Sequence, residues 1–189
     1  MTDLVLLYDK KRCKALKRSQ LFNFLPFIEK VYLAGSLALG NVHENSDFDV
    51  IIVAKPGRLY TARFFCLLLF NIFDWRRTLK NPRDGFCFNH FNTGEVKPAG
   101  FLGLIGNYEK KLHQNLIPVL LSRRKSNIPR SRYIRLFERV ENLLEKILKK
   151  WQIKKIEKFL KKFPPGPNSR IIYNDERVEL CFFLKNLAN

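Results

Sequence analysis

Asp47 and Asp49 stand either side of Phe48 in the run Ser46-Asp47-Phe48-Asp49-Val50, which continues as an apolar stretch to Val53. On an extended segment, side chains two apart leave the same face, so both carboxylates point one way while Phe48 and Val50 point the other. Two carboxylates on one face repel unless a cation lies between them. Hard oxygen ligands of this kind suit Mg²⁺, with substrate phosphates completing its shell. Upstream, Gly35-Ser36 closes the apolar run Val31-Tyr32-Leu33-Ala34. Gly permits close backbone approach, and Ser36 followed by Leu37-Ala38-Leu39 predicts a short helix whose free N–H groups and hydroxyl face a phosphate. Taken singly, Gly-Ser is ordinary turn chemistry and Asp-x-Asp an ordinary strand entry. Taken together, they set an anion site beside a metal site.

The combination of an apolar strand, Gly35-Ser36, ten residues and then Asp47-Phe48-Asp49-Val50 resembles the signature of the nucleotidyltransferase superfamily that includes DNA polymerase beta. Its spacing is similar to that of the minimal members, among them antitoxin partners of certain toxin pairs and aminoglycoside-modifying enzymes. The resemblance implies an α/β (α+β) fold in which helices flank a small mixed sheet. It implies an NTP, ATP in the first instance, held by Gly35 and Ser36, and Mg²⁺ (or Mn²⁺) held by Asp47 and Asp49 as catalytic ligands for two-metal transfer. A third carboxylate is expected on a later strand. The candidate strand, Gly85 to Phe91, reads GFCFNHF and contains Asn89 and His90 but no acid; Asp84 and Glu95 lie just outside it. His90 is a candidate base, against the reading that it is simply packed beside Phe91. The implied reaction is NMP transfer from an NTP to a hydroxyl on RNA or protein. The alternatives are an inactive relative that binds nucleotide or RNA, and an antitoxin-like partner of another protein.

Around this unit, residues 1–121 are expected to form the nucleotidyltransferase-like domain and 122–189 a basic helical extension with a short tail. Lys10 to Lys30 predicts a first helix, broken by Pro26, with Lys10, Lys11, Arg12, Lys14, Lys17 and Arg18 on its exposed part. Arg58 to Trp75 predicts a second, apolar on nearly all sides and therefore buried against the sheet; Arg58 and Arg63 near its start are candidates for phosphate or base contacts. Trp75 to Asp84 reads as a basic loop and Thr93 to Gly100 as a polar one. Tyr108 to Ser122 predicts a helix interrupted at Pro118. Ser131 to Phe163 contains no Pro or Gly, and Ile134, Phe137, Val140, Leu144, Ile147 and Trp151 recur at helical spacing. A long helix is expected there; the stripe shifts phase near Ile153 and Ile156, so a kink or a division into two helices is the alternative. Pro164-Pro165-Gly166-Pro167 stops it, and Arg170 to Leu184 reads as a small hairpin, or a strand and a final short element, turning at Asn174-Asp175, with Asp175, Glu176 and Glu179 near the basic helix.

Thirty-five Lys and Arg against 17 Asp and Glu leave a net charge of +18. Ser122 to Phe163 carries 15 Lys and Arg against four Glu. A field of this size favours a polyanionic partner, and on this segment RNA is the expected one, bound through phosphates; a merely solvated helix face is the competing reading. The same charge argues against an aminoglycoside, itself cationic. Cys13, Cys66, Cys87 and Cys181 have no paired spacing, so neither a zinc cluster nor a disulfide framework is expected, and the thiols read as reduced and mostly buried. Leu4 to Leu7 is too short for a signal peptide, and the mostly apolar ten-residue stretch from Phe64 to Phe73 falls short of the roughly 20 residues that span a membrane. The expectation is a cytoplasmic protein with no membrane association and a possible protein partner.

Overall fold

Phe48–Ala54 (β2) alternates as the sequence requires, with Phe48, Val50 and Ile52 fully buried on one side and the half-buried Asp49 on the other. The structure is a computed structural model that describes residues 3–78, 82–94, 117–120, 132–166 and 169–181; for 117–120 and 132–136 only the backbone is described. Ile28–Leu33 (β1), Phe86–Asn92 (β3), Ile117–Leu120 (β4), Arg170–Tyr173 (β5) and Arg177–Cys181 (β6) complete a six-stranded sheet of order β4-β1-β2-β3-β6-β5. β2 and β3 run parallel, joined through the helix Leu59–Ile72 (α3), and the other neighbours are antiparallel. The sheet is therefore mixed and flanked by helices, as expected.

One face of the sheet carries the core. Val31 and Leu33 lie opposite Ile52 and Val50, and these residues join Phe86, Phe88, Phe91 and Val178 against Tyr60, Cys66 and Phe70 of α3. Phe70 is the hub of an aromatic cluster, with ring centroids 4.7 Å from Phe22, 4.9 Å from Phe86 and 5.0 Å from Phe88. Tilted and edge contacts of this kind add to the area the rings bury. The many Phe of this chain thus have a structural use.

The first helix (α1) spans Asp3–Ser19, followed by a 3₁₀ turn, Gln20–Phe24, and then directly by β1. A helix from Lys10 to Lys30 is thus corrected at both ends: the Leu4 to Leu7 run is helical, and Ile28 to Lys30 is strand because Ile28 is wanted in the core. Lys11 is also corrected. It is buried, not on the exposed face, and its ammonium bonds Glu44 O at 2.9 Å, Ser46 O at 3.0 Å and Asp84 Oδ1 at 2.6 Å.

Arg132–Lys162 forms one unbroken helix (α4) of 31 residues, with no break near Ile153. Its buried side is Leu148, Gln152 and Ile156, at four-residue spacing, whereas Phe137, Val140, Ile147 and Trp151 are substantially exposed. The expected stripe is therefore offset from the face that packs on α3. Polar residues fix that packing. Glu145 accepts from Tyr60 N and Thr61 N, both at 2.8 Å, and from Thr61 Oγ1 at 2.5 Å, satisfying the orphan donors at the start of α3 from outside the helix. Arg58 pairs with Glu141 at 3.1 Å and bonds Asn142 at 2.7 Å; Gln152 receives Arg63 at 2.6 Å and donates to Tyr60 O at 2.7 Å. Both arginines are thereby committed to α4 and not to a nucleotide. The hairpin of β5 and β6 forms about Asn174 and extends the sheet, and Asp175 pairs with Lys149 of α4. Residues 117–120 around Pro118 are strand where a helix was expected; the rest of Tyr108 to Ser122, with Glu95, lies outside the described residues.

Candidate active site

The second short helix, Gly35–Leu39 (α2), starts where β1 ends, and Gly40 closes it in the left-handed conformation at φ 74°. Gly35 has φ +63°, and a Cβ placed on it would fall 2.0 Å from Asp49 Oδ2 and 2.8 Å from Asp49 Cγ. Only glycine lets the Asp49 carboxylate lie against the backbone here. The strand exit is tied to the same residue, since Ala34 N donates to Asp49 O at 2.9 Å. The structure thus brings Gly35, the start of α2 with Ser36, and Asp49 together, as the spacing predicts.

Asp47 enters from a loop fixed on three sides. His43 N donates to Ser46 Oγ at 3.0 Å, Lys11 holds the Glu44 and Ser46 carbonyls, and Phe48 N donates to Gly85 O at 2.9 Å. Past α3, the chain returns along the start of β3: Phe86 N donates to Trp75 O at 2.7 Å and Arg77 N to Phe86 O at 2.9 Å. Gly85 permits this approach, because a Cβ there would meet Arg77 N at 2.7 Å and Arg77 Cα at 2.8 Å. The result is that the Arg77 guanidinium reaches Asp47 Oδ2 at 3.1 Å and Cys87 Sγ at 3.8 Å.

Cys87 is the residue that sequence reasoning missed. It lies opposite Asp49 on the parallel neighbour strand, and the ligand atoms of Asp47, Asp49 and Cys87 all fall within 4.8 Å of one another. The signal that would have found it is register: with β2 and β3 parallel and starting level, the second residue of each shares a face. Burial first, and then the neighbouring Asp47 charge, push the Asp49 carboxyl up to about 6, against the hydrogen bond from the Cys87 thiol and the charge of Arg77. Burial, with the charges of Asp49 and Asp47, pushes the Cys87 thiol well above its usual range, so it stays protonated at neutral pH. Asp47 Oδ2 is buried and makes no hydrogen bond; Arg77 offers it charge at 3.1 Å without alignment. An orphaned buried oxygen beside a repelled carboxylate is an arrangement that a divalent cation would relieve, so the residues present fit one. Their donor set is two hard oxygens and a soft sulfur.

Asp84 does not join this cluster. Its carboxylate takes Lys11 and Lys14, each at 2.6 Å, and against the upward push of burial these two ammonium groups hold it below the usual carboxylate range. His90 lies opposite Ile51, further along β3, and faces Glu179 and Cys181 instead. It is not brought to the Asp47 and Asp49 pair as a base.

The family model described as a nucleotidyltransferase domain matches residues 13–178, a span that takes in the whole Gly35-Ser36 to Asp49 unit, α4 and most of the β5–β6 hairpin. No curated protein and no solved structure matches the chain. No described helix is long and apolar enough to cross a membrane.

Proposed function

Since the chain belongs to the nucleotidyltransferase domain family, we propose that it transfers NMP from ATP to a hydroxyl on RNA in a divalent-metal-dependent reaction, with its active site at Gly35, Ser36, Asp47 and Asp49. The single observation that carries this reading is the close fit of Gly35 to Asp49, which joins the phosphate-side turn to the metal-side carboxylates in one site. In it, Asp47 and Asp49 would hold Mg²⁺ or Mn²⁺. Such an ion, when bound, supplies charge neutralisation on the triphosphate and lowers the barrier to in-line displacement.

The chain's own residues do the rest. Gly35 brings the backbone of α2 up to the terminal phosphates, and the Ser36 hydroxyl is placed at the same turn to donate to them. Arg77, half-exposed beside Asp47, supplies a second cation at the rim for a phosphate oxygen. Cys87 donates to Asp49. The exposed basic side chains of α4 gather the RNA through its phosphates, which gives affinity without sequence information. A cytoplasmic location accords with four reduced thiols.

One observation favours a second reading. On β3, opposite Asp49, the described residues present the protonated Cys87 thiol and no third carboxylate. A group that stays protonated cannot take the acceptor's proton, and the protein would then bind nucleotide without transferring it, alone or against a protein partner. Transfer of label from α-labelled ATP to RNA and to protein, with Mg²⁺ and then Mn²⁺, separates the two. Label transferred by the wild type and not by Asp49→Ala is expected. Metal-dependent ATP binding with no transfer to any acceptor would establish the binding protein instead.

A further inference from the structure

We propose that Cys181 is a nucleophilic thiol, activated by His90, that takes soft electrophiles at the far end of the sheet from Asp47 and Asp49. Cys181 Sγ lies 3.1 Å from His90 Nε2, and the other imidazole nitrogen, Nδ1, lies 4.0 Å from Glu179 Oε1. Strand register creates the arrangement, since His90 of β3 is directly opposite Glu179 of β6, and Cys181 follows two residues on, on the same face. Glu179 is buried, which fixes the carboxylate end of the array, while Cys181 keeps part of its surface exposed. Reactive cysteines occupy electropositive, partly exposed surroundings, and this one has them: Arg170, the cross-strand neighbour of Cys181, reaches Glu179 at 3.2 Å, and Arg177 lies 4.0 Å from the same carboxylate.

The same three side chains offer ligand atoms within 4.8 Å of one another and so resemble a zinc site. Charge favours the relay: Glu179 already holds Arg170 at 3.2 Å, while His90 Nε2 faces the sulfur at 3.1 Å. Two guanidinium groups at Glu179 further oppose a second cation there. In the relay, His90 Nε2 takes the thiol proton. The thiolate electron pair then forms the S–C bond to an alkylating carbon as the carbon–halide bond breaks and halide leaves.

The chain carries its own reference. Cys13 is exposed, whereas Cys66 and Cys87 are buried and pushed up by burial. The experiment is iodoacetamide alkylation of the full chain between pH 6 and 9, with each cysteine followed by mass spectrometry. An ordinary thiol is about 1% ionised at pH 6.5, so its rate rises about tenfold per pH unit. A thiolate half formed at pH 6.5 gains about 50-fold in population and loses about eightfold in intrinsic nucleophilicity. Cys181 is therefore expected to react roughly sixfold faster than an ordinary exposed thiol at pH 6.5, and to level off by pH 8 where an ordinary thiol keeps rising. His90→Gln is expected to restore the steep rise at Cys181. A Cys181 profile that parallels that of Cys13 would overturn the proposal. So would one zinc per chain in the purified protein that is lost in His90→Gln, since that result would make the cluster a metal site.

Discussion

Gly35→Ala and Gly40→Ala form a matched pair that tests the joint between phosphate-side and metal-side chemistry. Both glycines have left-handed backbone, at φ +63° and +74°, but a Cβ at Gly40 would meet nothing within 4 Å, whereas one at Gly35 would meet Asp49 Oδ2 at 2.0 Å. An alanine in this conformation costs about 1 kcal/mol. At Gly40 that is the whole effect, a drop in Tm of about 3 °C for a chain of this size. At Gly35 the clash must also be relieved. Asp49 cannot retreat freely, because its backbone oxygen is held by Ala34 N at 2.9 Å and its strand is paired on both sides. Overpacking of this kind adds about 1–3 kcal/mol, so Gly35→Ala should lower Tm by roughly 5–15 °C. Because the atom displaced is a carboxylate oxygen of the site, metal-dependent ATP binding should fall at least tenfold in Gly35→Ala and stay near wild type in Gly40→Ala. Thermal unfolding and calorimetric titration of ATP with Mg²⁺ read the two effects separately. Equal Tm values and equal ATP affinity in the two variants would refute the reasoning, since only the contact with Asp49 distinguishes them.

Asp49→Asn tests the electrostatics. A carboxyl raised from its ordinary value to about 6 binds its proton more tightly in the folded than in the unfolded chain, so stability falls as pH rises from about 4 to about 6 and stays lost above. The variant should therefore unfold at higher temperature than wild type at pH 7, by at most about 3 kcal/mol of stability, and the gap should close near pH 4; a gap that does not change with pH removes this account. Glu145→Ala strands two amides and a hydroxyl at the start of α3 and should cost about 1–3 kcal/mol in urea unfolding; a loss within 0.5 kcal/mol, about the size of a neutral surface change, would mean that water replaces the carboxylate. Reversing charge at Lys154, Lys155 and Lys158 should lower RNA affinity and reduce the slope of its salt dependence by roughly two to three. An unchanged slope in filter binding would return α4 to a solvated helix with no role in RNA binding.

The parts of this molecule that could be read from sequence are those whose information is local. Gly35-Ser36, the strand from Phe48 to Val53 and the long helix from Arg132 each announce themselves within a few turns or strand residues, and each is found at its expected place, the helix without the kink weighed near Ile153. What escaped was set by partners distant in sequence. Lys11 carries the charge of an exposed helical residue, yet it is buried because carbonyls of Glu44 and Ser46 and the carboxylate of Asp84 surround it. Arg58 and Arg63 stand where a phosphate contact would be sought, and α4 claims them.

Cys87 is the sharpest case, because its meaning depends on register and on nothing in its own neighbourhood. In GFCFNHF the alternation shows only that Cys87 lies between two buried Phe residues; that it faces Asp49 follows from β2 and β3 being parallel and level at Phe48 and Phe86. An irregularity between Asp49 and Ile51 then shifts β3 by one residue, so that His90 falls opposite Ile51. Without that shift Asn89, not His90, would follow Cys87 on the site's face, and His90 would point into the core. The one-residue offset is what divides the face into two groups of reactive side chains, Asp47, Asp49 and Cys87 at one end and His90, Glu179 and Cys181 at the other.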